Sequence, residues 1–186
     1  MEPGDSMLVS DVTWRCLQAA LEVMSITDGL FDVTMGAQTW GKSRETSLSA
    51  PAGKLVLSPN RPEICCEEKG REIDFGGIGK GFALDEMAVT IHDLGVESAL
   101  ISCGASTHLA IGSRSWTMEL SGDREQQQKP LVAQSLSASG IGEQGEHVVH
   151  PDTGFPPTYA FRRVWIIAKT AAMADALSTA CLIMDE

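Results

Sequence analysis

Apolar and polar positions follow two different periods along this chain. Between Ser10 and Gly29, Trp14, Leu17, Leu21 and Met24 recur at helical spacing, with Ser10 able to cap the start and Thr27-Asp28-Gly29 forming the exit. The same spacing predicts a second helix from about Phe82 to Leu94, with Phe82, Met87, Ile91 and Leu94 on its buried stripe, and a last helix over Ala171 to Met184. The other apolar runs are short and read as strands: Lys54 to Leu57, Glu63 to Cys66 and Glu72 to Phe75, then Ser98 to Ser102, Thr107 to Ile111, Trp116 to Leu120, Gln134 to Ala138, Glu146 to Val149 and Arg163 to Ala168. Strands outnumber helices and run consecutively through the middle. That order predicts an α+β fold, a single domain with a mixed or largely antiparallel sheet and helices packed on it.

Length and composition narrow the picture. The 186 residues suffice for one domain with a sizeable core, so the expected domain spans 1–186. Apolar residues make up 43% and charged residues 21%, and only the polar stretch Ser121 to Lys129 reads as disordered. A net charge of -11 argues against a nucleic-acid or anionic-membrane binder, because those partners need a basic face. An acidic chain that handles phosphates needs a local cation or a metal. Cys16, Cys65, Cys66, Cys103 and Cys181 show no C-x-x-C spacing and read as free thiols, with Cys65 and Cys66 on opposite faces of a strand. No apolar run approaches the roughly 20 residues needed to span a bilayer, and no signal peptide or lipobox is visible, so the expectation is a soluble, cytoplasmic chain.

Three segments carry candidate chemistry. From Asp74 to Asp85 the chain reads D-F-G-G-I-G-K-G-F-A-L-D, four glycines and Lys80 between a strand-like and a helix-like run, where bare N–H groups and an ammonium can approach an anion. It is not a P-loop, since Gly81 follows Lys80 where Ser or Thr would be required, and it lacks the third glycine of the dinucleotide fingerprint. A tight connection with no ligand is the structural alternative. Asp175 and Thr179, four residues apart, stack on one helix face, where a carboxylate and a hydroxyl can share a hard cation. Asp near a helix start and Thr toward a core are also common without a metal. In H-V-V-H-P-D-T-G, His147 and His150 would lie on opposite faces of a strand, which disfavours a shared zinc but leaves one free for acid–base work; taken alone, the segment reads more simply as a Pro-Asp-Thr-Gly turn with incidental histidines.

In this order the segments resemble the FAD:protein FMN transferase family, the ApbE-like flavin transferases. F-D-V-T-M-G (Phe31 to Gly36) with Trp40-Gly41 is similar to the first family motif, Asp74 to Asp85 to the glycine-rich core, and Val96 to Gly104 to the strand that closes on a glycine pair. Ser139-Gly140, His147 to Gly154 and Ala174 to Thr179 match the later motifs in order. The resemblance implies an N-terminally shortened, magnesium-dependent transferase that cleaves FAD, attaches FMN to a Thr or Ser of an acceptor flavoprotein and releases AMP. It places magnesium on Asp175, Thr179 and the backbone carbonyl of Gly79, and proton transfer on His147. It places dinucleotide contacts on Gly76, Gly77, Lys80, Asp85, Gly104, Ser139, Gly140 and Thr153. Ala105 stands where a second glycine is usual, and His150 and Asp152 alter the usual charge pattern. FAD pyrophosphatase activity and a noncatalytic flavin-binding or interaction module are the alternatives. A homodimer is compatible with the sequence, and although members of the family are often periplasmic and membrane-anchored, nothing in this chain marks a compartment.

Overall fold

The computed structural model describes residues 1–41, 52–58, 60–121, 127–141 and 148–184. These form two compact units, one from Met1–Phe75 with Glu146–Thr158 and one from Gly76–Gly145 with Tyr159–Glu186.

In the first unit, strands β1 (Ser6–Leu8), β2 (Lys54–Leu57) and β3 (Glu63–Glu68) form an antiparallel sheet in the order β1-β3-β2. Helix α1 (Asp11–Ile26) begins as expected, the Ser10 hydroxyl accepting the Thr13 N–H at 3.1 Å. Its buried face keeps Leu17 of the expected stripe and otherwise differs from it. Cys16, Leu17, Ala20 and Val23 are buried, while Trp14 and Met24 are half-buried and Leu21 is 41% exposed. Small Cys16 and Ala20 are buried, and Leu21 and Met24 line a cavity of about 190 Å³ with Leu55, Leu57 and Ile64. Arg71 pairs with Asp32 at 2.7 Å in the wall of that cavity. Cys65 and Cys66 do occupy opposite strand faces, Cys66 buried and Cys65 half-buried, and all five cysteines are free thiols.

Two expectations in this unit are corrected. Glu72 to Phe75 is not a strand, because Glu72 makes a single parallel bridge to Met35 and no ladder follows. Helix α2 (Gly36–Gly41) appears where no helix was expected, since six residues are too short to display a period. Val148 to His150 are not in a strand, and the rest of the strand expected from Glu146 lies outside the described residues.

The second unit is built on an antiparallel sheet ordered β4-β5-β8-β9. Its strands are β4 (Ala99–Cys103), β5 (Thr107–Ile111), β8 (Ser135–Gly140) and β9 (Arg163–Ala168). A separate hairpin pairs β6 (Trp116–Leu120) with β7 (Gln127–Leu131), so part of the segment expected to be disordered is a strand. Its Q-Q-K-P-L sequence has no apolar alternation to announce it; backbone pairing to β6 decides it. Ala110, Leu131 and Leu136 pack with Trp116, Met118 and Trp165 in one apolar cluster, and Leu84, Leu109 and Ala171 form another with Ala88, Ile101 and Ile111. Helices α3 (Gly79–Asp93) and α4 (Ala171–Ile183) supply Leu84 and Ala171 to the second cluster.

Helix α3 starts three residues before the expected Phe82, so the glycine-rich segment forms its first turn. Gly81 and Leu84 are its buried residues, whereas Met87 and Leu94 are 49% and 76% exposed. The inward face is set by contact with α4, not by the largest apolar residues. A Cβ on Gly81 would lie 2.0 Å from the Ala171 carbonyl oxygen, so only glycine permits this approach.

Each helix caps the other. Ile78 offers α3 no side-chain cap, and the Gly81 N–H instead donates to Asp175 Oδ2 of α4 at 3.1 Å. In return Asp85 of α3 accepts the Ala171 and Ala172 N–H groups, both at 2.8 Å. Burial pushes the Asp85 carboxyl above the usual aspartate range, against the pull of those two bonds. On the β4–β5 hairpin, His108 Nδ1 lies 2.8 Å from the Ser102 hydroxyl, and burial holds this imidazole below its usual pKa despite a bond to the Ala105 backbone.

Gly81→Ala is expected to lower stability by about 1–3 kcal/mol in urea unfolding, the usual cost of overpacking. Asp85→Ala should cost about 1–2 kcal/mol by leaving the Ala171 and Ala172 N–H groups without their acceptor, while Thr170 still accepts the Met173 N–H; an unchanged midpoint would show that water replaces Asp85. His108 stays neutral longer in the folded chain than in the unfolded one, whose reference value is 6.5. Its contribution is therefore full above that value and is lost as pH falls through the lowered folded value. Unfolding measured across mildly acidic pH should show a smaller loss of stability in His108→Gln than in the unaltered chain.

Candidate functional site

Asp175 lies in the second turn of α4 and is 2% exposed. A carboxylate this buried needs donors on both oxygens. Oδ2 takes the Gly81 N–H, while Oδ1 takes the Thr107 hydroxyl at 3.3 Å and the Ser137 hydroxyl at 3.1 Å. The Lys80 ammonium lies 3.2 Å from Oδ1 and is 39% exposed. One buried anion thus gathers the glycine-rich turn, two strands and a partly solvated cation. Two residues singled out in the sequence, Lys80 and Asp175, are brought together directly.

One turn further along α4, Thr179 donates weakly to the Asp175 carbonyl at 3.4 Å, and its hydroxyl lies 3.4 Å from that of Ser139. Ser139 is also 2.8 Å from the Ser178 hydroxyl, and Ser178 donates to the Asp175 carbonyl at 2.8 Å. The alternation in S-L-S-A-S puts Ser135, Ser137 and Ser139 on one side of β8, and the bonds of Ser137 and Ser139 show that this side meets α4. Sequence reasoning missed Thr107, Ser137 and Ser178. The period-two serines were the available signal, but serines on a strand face do not name the carboxylate they meet.

The remaining expected residues have individual places. Gly76 and Gly77 form the turn into α3, and Gly79 is its first residue. Gly104 turns β4 into β5 with φ +61, a conformation that favours glycine. Gly140 ends β8, where a Cβ would meet the Arg162 carbonyl at 2.9 Å. The Asp85 carboxylate is occupied by the start of α4. Thr153 belongs to the other unit, in a turn where its hydroxyl accepts the Phe155 N–H at 3.2 Å. His147 lies outside the described residues. His150, in the same turn, accepts the Asp152 N–H on Nδ1 at 3.2 Å.

The donors suit one class of metal. Among the described residues no group of three or more His, Cys, Asp or Glu gathers. The three ligands that the resemblance implies, Asp175, Thr179 and the Gly79 carbonyl, are all hard oxygens, the donor class magnesium takes; of these, the Thr179 hydroxyl is engaged with the Asp175 carbonyl and Ser139. No helix among the described residues is long and apolar enough to cross a membrane.

Comparison with known proteins follows the same line. The sequence profile of the ApbE family matches residues 2–186. The FAD:protein FMN transferase of Haemophilus influenzae is 21% identical over 92% of this chain and 60% of its own length. Among solved structures, the apo flavinyl transferase ApbE of Pseudomonas stutzeri superposes with a TM-score of 0.83 at 21% identity, covering 98% of this chain and 65% of that one. The ApbE protein of Thermotoga maritima gives 0.82 at 25% identity, with 98% and 68% covered. The chain spans about 60% of the length of such curated relatives. With a profile match across nearly all of its residues and the mixed helix and antiparallel-sheet fold of those structures, this chain belongs to the ApbE family.

Proposed function

We propose that this chain acts in FAD:protein FMN transfer, with the Asp175 cluster as its metal and diphosphate site. The observation that carries the reading is the buried Asp175 carboxylate bound to the first turn of the glycine-rich helix and paired with Lys80. A buried anion beside the glycine-rich first turn of a helix and a partly solvated ammonium has the parts needed to hold a metal-bound diphosphate. The shared name of the relatives, FAD:protein FMN transferase, supports the substrate and the reaction class.

In this reading the hydroxyl oxygen of a Thr or Ser on an acceptor flavoprotein attacks the FMN phosphorus of FAD. The bond from that phosphorus to the bridging oxygen breaks, AMP leaves with that oxygen, and the hydroxyl proton passes to a base, the role the resemblance gives to His147. Asp175, Thr179 and the Gly79 carbonyl would hold magnesium, which would neutralise diphosphate charge. Lys80 has the reach to exchange its carboxylate partner for a phosphate oxygen, because its side chain is partly in solvent. Gly76, Gly77, Gly104, Ser139 and Gly140 are the remaining dinucleotide contacts within the second unit, while Asp85 holds the start of α4 against α3.

Incubation with FAD, Mg²⁺ and an acceptor bearing a Thr or Ser should give a fluorescent acceptor band that survives denaturing electrophoresis. Asp175→Asn keeps the side-chain volume but removes the charge, and should abolish the band. A band as strong as that of the unaltered chain would remove Asp175 from the site. Release of FMN and AMP without any labelled acceptor would select hydrolysis of FAD in place of transfer.

A further inference from the structure

We propose that Thr107 and Ser137 are positioning residues that fix the rotation of the Asp175 carboxylate for a divalent cation, an inference that rests on the reading of Asp175 as a metal ligand. Both side chains are fully buried, at 0% exposure, and come from neighbouring strands. Thr107 of β5 and Ser137 of β8 are direct register partners, which sets their hydroxyl oxygens 3.0 Å apart. Both donate to the same oxygen, Asp175 Oδ1. The Gly81 N–H holds Oδ2 from the other side. With donors on both oxygens and two of them anchored in a sheet, the carboxylate has one orientation.

The chemistry of the donors matters as much as their number. A hydroxyl orients a carboxylate without cancelling its charge, so the anion stays available to a cation. Among the described residues, Lys80 is the cationic donor on the carboxylate, and its side chain is partly in solvent. Thr107 and Ser137 can therefore remain in place when that ammonium is exchanged for a metal ion. Neither hydroxyl is used to satisfy the backbone of its own strand, the usual role of a buried Ser or Thr.

The test uses the full chain and Mn²⁺ alone as the metal probe. In titration calorimetry, Thr107→Val combined with Ser137→Ala should weaken Mn²⁺ binding by about 10–100-fold, the usual effect of losing the groups that orient a ligand. Thr107→Ser, which keeps the hydroxyl, should bind Mn²⁺ like the unaltered chain. A folded double variant with unchanged Mn²⁺ affinity overturns the proposal. If the double variant does not fold, Ser137→Ala alone is measured against the same expectation.

A metal-free readout separates this proposal from the reading beneath it. The Gly81 amide resonance reports the oxygen it donates to, so it should move in the metal-free Ser137→Ala variant as the carboxylate turns. A Gly81 resonance at its original position overturns the positioning role whether or not metal binds. An unaltered chain that binds no Mn²⁺ overturns the metal site, and with it the purpose of the positioning, even where the Gly81 resonance moves.

Discussion

The contact between α3 and α4 is the constraint on which the second unit depends. Two helices whose first turns lack a full set of local caps exchange carboxylates: Asp175 of one accepts the Gly81 N–H of the other, and Asp85 accepts Ala171 and Ala172 N–H in return. The exchange requires close approach, and Gly81 provides it, since any side chain there would collide with the Ala171 carbonyl. Leu84 and Ala171 then meet Leu109 of the sheet as one apolar cluster. Helix capping, helix packing and core formation are thus a single arrangement.

The same arrangement assembles the candidate site. A carboxylate taken out of water must be compensated, and Asp175 is compensated by an N–H, two hydroxyls and the Lys80 ammonium. The glycine-rich segment serves this packing directly: the missing side chain of Gly81 lets α4 come close. The cavity beside Arg71 and Asp32, in the other unit, contains none of the residues of this cluster in its walls.

Legibility in the sequence varied with the range of the determining interaction. Arg163–Ala168, Trp116–Leu120, Thr107–Ile111 and Lys54–Leu57 were readable because apolar and β-branched runs mark a strand from within. The start of α1 was readable because Ser10 and Thr13 are three residues apart. The buried faces of α1 and α3 were not. Large residues dominate any periodicity count, while small Cys16 and Ala20 are buried in α1 and Gly81 marks where α4 presses close. β7 and α2 were missed because one is polar and the other a turn and a half long.

By itself, then, the amino-acid sequence determined the alternation of strands and helices, the oxygen-only character of the Asp175 and Thr179 pair, the bare glycine turn with its lysine, and the order of motifs that marks the family. All of these are properties of residues close together in the chain. Only the tertiary structure decided that Asp175 binds Gly81 across 94 positions and Ser137 across 38, and that Asp85 serves the start of α4. Such bonds depend on which buried oxygen is left facing which donor after the sheet and helices have packed. No local pattern encodes that choice, because desolvation acts on the assembled neighbourhood.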